Sequence, residues 1–403
     1  MFSRRSFVRS AAGLAPWAAV TGDLWRSLVR DAEAEDRLAE LIRSAPKARY
    51  WISAASGGKT CSPCHEGGRP SQGSPGKDHN KIVQCQLCAQ SCGLRDGQRG
   101  RCRARINVGG ELRSLVYGRP VTVHIDPIEK KPFYHFLPGA AAFSLSTAGC
   151  PLHCKFCQNW EISQSKPEDF GAEFVPPADI AKAASGRHAP VIAFTYNEPT
   201  VFTEYLTDIA RVAQKDRTRC VLISCGFMNE APLAEICGLM SAIKIDLKGF
   251  DQEFYRTVCS AELRPVLRSI KQVAKSGVHL EIVNLVVPSL NDGDKMISGL
   301  VDWVSGELGP DVPVHFTRFH PDYQMLNLAP TPISTLERSR EIAMKGGIRY
   351  AYVGNVPGHP GNHTYCPGCG KAVIKRSNFF VEELNIKNGL CQFCRTKIAG
   401  IWS

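Results

Sequence analysis

The tightest constraint on this chain is a short segment in which Cys150, Cys154 and Cys157 follow the spacing C-x3-C-x2-C. Three thiolates this close on one tight loop suit a single inorganic group. An ordinary four-iron cluster takes four Cys ligands, so three would leave one iron open to an exogenous ligand. The spacing therefore indicates a [4Fe-4S] cluster that can act on a substrate as well as carry electrons. A structural zinc knuckle, completed by a residue such as His153, is the alternative.

Most of the 17 cysteines fall into further close groups. In a chain of this size, C-x2-C pairs indicate metal sites rather than disulfides. A C-terminal group with two such pairs and a 21-residue spacer predicts a four-cysteine structural zinc site of the zinc-ribbon kind, from Cys366, Cys369, Cys391 and Cys394. A less regular upstream group predicts a second structural zinc knuckle, although rubredoxin-like iron or a second cluster fits the same ligands: Cys85, Cys88, Cys92 and Cys102. The isolated cysteines fit buried structural thiols: Cys220, Cys225, Cys237 and Cys259.

Two motifs near the N-terminus keep more than one interpretation. Cys61-Ser-Pro-Cys64-His65 matches the attachment pattern of c-type haem, but it lies in a Gly/Ser/Pro-rich stretch that is typical of a flexible linker. An additional metal pair or an unstructured dithiol also fits. Ser3-Arg-Arg-Ser-Phe-Val8 matches a twin-arginine export signal, and an amphipathic basic helix is the alternative. We expect the chemistry in the cytoplasm and leave export open.

The composition is that of an ordinary soluble globular protein, with 403 residues, 43% of them hydrophobic and 22% charged. This length holds one large catalytic domain with small appendages. No apolar run reaches the roughly 18 residues of a membrane-spanning helix. The formal net charge of +11 would allow an anionic partner such as RNA. No basic stripe interleaves with aromatic residues, however, so nucleic-acid binding is unsupported.

Beyond Gly139 the chain alternates short β-rich runs with helical stretches, a pattern that predicts a parallel sheet with the active site at the carboxyl ends of its strands. The predicted strands are Ala142–Thr147, Val191–Tyr196, Cys220–Cys225, Ala242–Leu247, Val278–Val287, Val314–Phe319 and Ile348–Val353. The predicted helices are Ala178–Ser185, Thr200–Gln214, Pro232–Met240, Leu263–Ser276, Asp294–Gly306 and Ile333–Lys345. Seven strands fall short of a closed eightfold barrel, so the fold class is α/β with a partial (β/α)6-type barrel and small Cys-rich modules at both ends.

Several longer motifs resemble the radical S-adenosylmethionine (SAM) superfamily, and in particular the radical SAM enzymes of AmmeMemoRadiSam systems, which are similar to pyruvate formate-lyase activating enzymes. The resemblance runs from about Val83 to the C-terminus. The motifs that show it are Val83-Gln-Cys-Gln-Leu-Cys, Asp126-Pro-Ile-Glu-Lys-Lys-Pro-Phe-Tyr-His-Phe-Leu-Pro-Gly, Cys157-Gln-Asn-Trp-Glu-Ile-Ser-Gln, Thr195-Tyr-Asn-Glu-Pro-Thr and Val353-Gly-Asn-Val-Pro-Gly-His.

The resemblance implies a set of SAM contacts on the loops that follow the strands. The backbone of Phe156 would meet the adenine. The turn containing Asn197 and Glu198 is similar to the Gly-Gly-Glu-Pro turn that receives the methionine ammonium, although Tyr196 and Asn197 replace the two glycines. In Ile245-Asp-Leu-Lys-Gly249, Asp246 and Lys248 share one face because strand side chains alternate. Two further candidates end other strands, Ser224 and His320.

The same resemblance implies an enzyme that cleaves SAM reductively to a 5′-deoxyadenosyl radical, which then abstracts hydrogen from a substrate. Ferredoxin or flavodoxin would supply the electron, and Memo-like and AMMECR-like proteins would be partners. Activation of a glycyl-radical enzyme, or a non-catalytic electron-transfer or scaffold protein, are the alternatives. The expected organisation is a basic segment over 1–55, a linker over 56–82, a four-cysteine knuckle over 83–120, the barrel over 121–360 and a zinc ribbon over 361–403.

Overall fold

The computed structural model describes residues 34–53 and 81–403, and its centre is one eight-stranded sheet. The strands pair in the order in which they occur along the chain, with the first antiparallel to the second and all later neighbours parallel. In chain order they are β1 Thr122–Pro127, β2 Ala141–Ser146, β3 Val191–Phe194, β4 Arg219–Ser224, β5 Ala242–Asp246, β6 His279–Val286, β7 Val314–Arg318 and β8 Ala351–Gly354.

Six helices connect the parallel strands and cover the outer face of the sheet. They are α1 Pro177–Gly186, α2 Thr203–Lys215, α3 Glu230–Cys237, α4 Leu263–Ser276, α5 Asp294–Leu308 and α6 Ile333–Lys345. Strands β3, β4 and β5 are buried along most of their length and rich in Val, Ile and Leu, which is typical of a parallel sheet covered by helices. Shorter helical turns lie at Ile128–Lys130, Trp160–Ser163, Pro167–Asp169, Pro199–Phe202, Gln252–Phe254, Tyr255–Cys259 and Pro360–Asn362.

The barrel is open, because the edge strands β1 and β8 pair with no further strand in the part of the chain that the structure describes. Residues 128–137, which follow β1, form a plug. The plug fills the lower end of the barrel, where the parallel strands begin. Phe133 and Phe136 are fully buried there and pack with Ala142, Val191 and Val221 of the sheet. This plug leaves the carboxyl ends of the strands as the end at which a cavity can form.

The mostly parallel α/β sheet predicted from the sequence is confirmed, and all seven predicted strands and six predicted helices are present within about three residues of their expected bounds. The antiparallel strand β1 was not among the predicted strands. Its residues alternate between apolar and polar types, but Val123, His124 and Ile125 are all exposed. Such alternation is itself a strand pattern, so the sequence carried a signal for β1 that the prediction missed.

An N-terminal module packs against the outside of the barrel. It contains a helix over residues 34–44, a three-stranded sheet of Trp51–Ser53, Val83–Cys85 and Gly93–Leu94, and a hairpin of Arg105–Val108 and Glu111–Ser114. Because 51–53 pair with 83–85, the residues on both sides of the expected linker belong to one module. Cys61, Cys64, His65 and the twin-arginine motif lie outside the described residues.

A C-terminal module of short strands closes the lower end of the barrel; its strands are Thr364–Tyr365, Ala372–Ser377, Phe380–Leu384, Ile386–Lys387 and Leu390–Cys391. The fully buried Arg376 reaches from this module towards Glu129 of the plug, with 3.8 Å between Nε and Oε1. It also donates to the carbonyl oxygen of Tyr134 at 2.7 Å. Within 34–53 and 81–403, no helix is long and apolar enough to cross a membrane.

Candidate active site

A cavity of about 470 Å³ opens at the carboxyl ends of the parallel strands. This volume lies within the usual range of small-molecule sites, about 300–1,000 Å³. The loops after β2, β3, β4 and β5 supply most of its polar lining. The carboxyl end of a parallel sheet is where loops from neighbouring strands converge, so the fold brings together residues that are far apart in sequence.

The loop that follows β2 presents Cys150, Cys154 and Cys157 to this cavity. It begins at Gly149, whose φ of +96° belongs to the left-handed region that favours glycine. Two backbone hydrogen bonds fasten the loop to the single π-helical turn at Tyr255–Cys259: His153 N–H donates to the Cys259 carbonyl oxygen at 3.1 Å, and Lys155 N–H donates to that of Val258 at 3.0 Å. The loop is therefore held at its start and its middle.

Burial keeps two of these thiols protonated in the absence of a ligand. It raises the pKa of Cys157 to about 11 and that of Cys150 well above its ordinary value. The pKa of Cys154 is instead lowered, because the Cys259 thiol is its hydrogen-bond partner. Cys259 and Cys225 were expected to be structural thiols, and both are buried. Cys225 also lines the cavity and Cys259 contacts Cys154, so these two belong to the surroundings of the site.

The turn after β3 places Tyr196 in the left-handed region, with φ of +69°. Its carbonyl oxygen accepts a hydrogen bond from Asn159 Nδ2 at 2.9 Å. Asn197 Nδ2 donates to the Gly149 carbonyl oxygen at 2.8 Å, which ties this turn to the cysteine loop. Asn197 Oδ1 is buried and has no hydrogen-bond partner among the described residues. A buried acceptor without a partner is costly, so this atom is a strong candidate for a ligand contact.

The Glu198 carboxylate is held by four donors. Oε1 accepts from Thr200 N–H at 3.1 Å, from the Thr200 hydroxyl at 2.5 Å and from the Ser224 hydroxyl at 2.8 Å. Oε2 accepts from Cys225 N–H at 2.7 Å. These bonds link the loops after β3 and β4, and they fix one negative charge on the cavity wall.

An ion-pair group of three side chains lies on one face of β5 and of the residues just after it. Asp246 lies between Lys244, which contacts its Oδ1, and Lys248, whose Nζ is 3.1 Å from Oδ2. Burial disfavours ionisation of Asp246, but the two ammonium groups outweigh it and hold the pKa of that carboxyl below its usual value. Lys248 Nζ also lies 5.8 Å from the centre of the Phe156 ring.

Nearly all of the residues predicted from the sequence for this site line the one cavity: Cys150, Cys154, Phe156, Cys157, Asn197, Glu198, Ser224, Asp246 and Lys248. His320 is exposed and does not line it. Sequence reasoning missed Lys130, Lys131 and Lys244, which also line it. The two-residue spacing of Lys244, Asp246 and Lys248 could have found Lys244, since alternate residues of a strand share a face.

The C-terminal cysteines form a compact group. The sulfur atoms of Cys366, Cys369, Cys391 and Cys394 all lie within 4.8 Å of one another, with 3.5 Å between Cys366 and Cys394 and 3.9 Å between Cys369 and Cys391. Four thiolates at about 2.3 Å from one tetrahedral ion lie about 3.8 Å apart. The spacing of these sulfur atoms therefore matches a single tetrahedral metal ion.

The upstream cysteines border one enclosed space between the N-terminal module and the barrel: Cys85, Cys88, Cys92 and Cys102. Burial raises the pKa of Cys102 to about 11. Among the described residues these four do not form a group packed as closely as the C-terminal four. The module touches the cysteine loop directly, since Gln90 Nε2 donates to the Pro151 carbonyl oxygen at 3.0 Å.

Comparisons with known proteins agree with this geometry. The family model described as the radical SAM superfamily matches residues 144–301. An uncharacterized protein of Methanocaldococcus jannaschii is 40% identical over 323 residues, which are 80% of this chain and 96% of that protein. Pyruvate formate-lyase-activating enzyme of Clostridium pasteurianum is 24% identical over 157 residues, 38% of this chain and 65% of that enzyme.

Among solved structures, a domain of pyruvate-formate lyase-activating enzyme from Bacteroides vulgatus matches with a TM-score of 0.37 and 18% identity, covering 40% of this chain and 98% of that one. The family match includes the cysteine loop and the strands β3, β4 and β5 that surround the cavity. Over these residues the chain belongs to the radical SAM superfamily.

Proposed function

We propose that this protein is an enzyme that cleaves SAM reductively at a [4Fe-4S] cluster and uses the resulting radical to abstract hydrogen from a substrate. The observation that carries the proposal is the convergence of three free thiols, an unpartnered buried amide oxygen and an Asp–Lys pair on one cavity. Membership of the radical SAM superfamily implies both the cluster and SAM.

The residues present fit the cluster. Cys150, Cys154 and Cys157 are free thiols on one cavity wall, and among the described residues they do not form a close-packed single-ion group. In a four-iron cube each thiolate would bind a different iron, and the three cysteines would leave one iron for another ligand. Because burial disfavours the thiolates of Cys150 and Cys157, assembly of the cluster would release their protons.

The residues present also fit SAM. Asn197 Oδ1 would accept a hydrogen bond from the methionine ammonium, which would satisfy the one buried acceptor that the turn leaves unpaired. Lys248 would contact the methionine carboxylate, and Phe156 would lie beside the adenine. Asp246 keeps Lys248 charged and in place by an ion pair at 3.1 Å.

Held by Cys150, Cys154 and Cys157, the cluster would supply the one-electron reduction that cleaves SAM to methionine and a 5′-deoxyadenosyl radical. The protein's task is to position the groups and exclude water, since the chemistry belongs to the cofactor. Glu198 and Ser224 hold the loops after β3 and β4 in register. The hydrogen bond from Asn197 to Gly149 keeps the SAM side of the cavity at a fixed distance from the cysteine loop.

The proposed setting is an AmmeMemoRadiSam-type system in the cytoplasm, with ferredoxin or flavodoxin as electron donor and Memo-like and AMMECR-like partners. The motifs after Val83 that resemble those enzymes support it. A second candidate, activation of a glycyl-radical enzyme, is favoured by the 24% identity to pyruvate formate-lyase-activating enzyme. Gene neighbourhood separates the two, because a glycyl-radical enzyme would be encoded nearby in the second case.

Structural zinc in the two four-cysteine groups completes the proposal. The sulfur spacing supports it for Cys366, Cys369, Cys391 and Cys394. For the upstream group, the support is that its four cysteines border one enclosed space. Four thiolates leave no open position on a tetrahedral ion, so both sites would be structural.

The test is anaerobic reconstitution with iron and sulfide, followed by dithionite and SAM and an assay for 5′-deoxyadenosine. We expect the nucleoside from the unmutated protein and none from Cys154→Ala. Cys220→Ser is the matched control, because Cys220 is buried in β4 but does not line the cavity. A protein that holds a full, reducible cluster and yields no nucleoside would overturn the proposal.

A further inference from the structure

Two groups of the form Lys–Asp–Lys lie at the cavity. In the first, Asp126 Oδ1 lies 2.8 Å from Lys130 Nζ, and Asp126 Oδ2 lies 2.5 Å from Lys131 Nζ. In the second, Asp246 lies between Lys244 and Lys248. Each group contains two ammonium ions and one carboxylate, so each has one positive charge in excess.

Each group has one buried ammonium. The side chains of Lys131 and Lys244 are only 2% and 5% exposed. Burying a charge is costly unless it is fully paired, and burial accordingly lowers the pKa of Lys131 to about 8, with a further contribution from the charge of Lys244. Both lysines line the same cavity, so their like charges share one space.

The first group is also held rigidly. The Tyr196 hydroxyl donates to Asp126 Oδ2 at 2.6 Å, and Lys131 Nζ lies 4.8 Å from the centre of the Tyr196 ring. Asp126 therefore accepts from three donors, while Lys131, which donates one N–H to Asp126, has two further N–H groups and lines the cavity. A preorganised ammonium with spare donors is suited to bind an anion.

Before the cluster is reduced, the proposed cofactors do not remove this excess. An oxidised cluster with three thiolates has one net negative charge and SAM has one net positive charge, so together they are neutral. The charged residues that line the cavity are four lysines and two carboxylates. When Asp126 is also counted, four lysines face three carboxylates, so one positive charge has no counterion. Lys248 is the lysine that would contact the carboxylate of SAM.

We propose that the substrate carries a carboxylate or phosphate group that binds between Lys131 and Lys244, with Lys130 at the mouth of the cavity. The inference depends on the proposed function only in taking the bound molecule to be the substrate. The half-exposed Lys130, at 47%, is accessible to a group entering from solvent. The anionic end would lie beside Tyr196, and the rest of the molecule would extend towards the cysteine loop.

The test measures binding of two probes, inorganic phosphate and acetate, to the reconstituted protein with SAM bound. Calorimetric titrations are made at constant ionic strength, which separates a specific site from general screening. We expect saturable binding of at least one probe, and the tighter one indicates whether phosphate or carboxylate is the natural group. Absence of saturable binding of both would overturn the inference.

Variants locate the site. Lys131→Gln and Lys130→Gln should each raise the dissociation constant about tenfold, because each removes a charge-assisted hydrogen bond. Lys131→Arg should stay within about threefold of the unmutated protein. Lys345→Gln, on the exposed face of α6, is the control for net charge and should change nothing. Equal binding of the probe by Lys130→Gln, Lys131→Gln and the control would refute the site. If Lys131→Gln does not fold, Lys130→Gln alone provides the test, because Lys130 is exposed and its substitution should not disturb folding.

The same preparation is assayed for 5′-deoxyadenosine, so that the two proposals can fail separately. Nucleoside formation without saturable anion binding overturns the anion site alone. In the other case, the unmutated protein binds the anion, Lys131→Gln does not, and no nucleoside is formed. That result supports the anion site and overturns the radical function.

Discussion

Substitution of Gly149 by alanine tests how the cysteine loop is supported. Gly149 precedes Cys150 and adopts φ of +96°. A Cβ atom there would lie 2.2 Å from the carbonyl oxygen of Cys102 and 3.5 Å from Cβ of Ala104. The N-terminal module therefore packs against the start of the loop so closely that only a hydrogen atom fits between them.

The cost of Gly149→Ala has two parts. The left-handed conformation of a residue with a Cβ costs about 1–2 kcal/mol. The overlap with the Cys102 carbonyl adds about 1–3 kcal/mol, as expected for overpacking that moves backbone. We expect a total loss of about 2–5 kcal/mol in the free energy of unfolding, together with a displaced cysteine loop.

The assay is iron and sulfide content per chain after anaerobic reconstitution, followed by 5′-deoxyadenosine formation and urea unfolding. Gly149→Ala should hold less than about half of the cluster and lose activity in proportion. Gly277→Ala is the matched control, since Gly277 has φ of +79° at the end of α4 but no atom within 4 Å of its added Cβ. It should lose only the cost of the left-handed conformation, about 1–2 kcal/mol, and keep its cluster. If Gly149→Ala behaves like Gly277→Ala, the contact with Cys102 does not support the loop.

Three further predictions concern the C-terminal module and the lower end of the barrel that it closes. Cys391→Ser should remove one zinc ion per chain by elemental analysis, whereas Cys237→Ser should keep the full content. Arg376→Met leaves Glu129 buried without its cation and should lower the free energy of unfolding by about 3–5 kcal/mol in urea; a loss below about 1 kcal/mol would contradict this. Burial lowers the pKa of His135 to about 3, so the unfolded chain binds a proton first as the pH falls below about 6.5. Stability should then fall by up to about 1.4 kcal/mol per pH unit between pH 6 and 4, and His135→Gln should flatten that slope.

The parallel part of the fold could be predicted because strands and helices there have distinct patterns. Helices α4 and α6 were predicted with their observed bounds, since apolar residues recur at helical spacing and glycine follows each helix. The antiparallel strand β1 could not be predicted in the same way. Its alternating residues carry a strand pattern, but its pairing with β2 is a long-range choice that no local pattern encodes.

The cluster loop, the Glu198 turn and the Asp246–Lys248 pair could be predicted to meet, because parallel strands present their carboxyl ends at one edge. The contribution of Lys130 and Lys131 could not, since they precede β2 and enter the cavity from the antiparallel edge. His320 illustrates the opposite case. It follows β7 as the rule requires, yet its side chain is exposed, because position after a strand does not determine orientation.

The lower end of the barrel is closed by contacts between residues that are far apart in the chain, and this has a consequence for folding. His135 of the plug contacts the carbonyl oxygen of Ala399 at 2.5 Å, across a sequence separation of 264 residues. The Ile401 N–H donates to the His135 carbonyl oxygen at 2.8 Å. Neighbouring parallel strands, by contrast, are consecutive in the chain and can pair as they are synthesised. This end is therefore the last part of the barrel to be sealed, because its closure needs residues that are synthesised last.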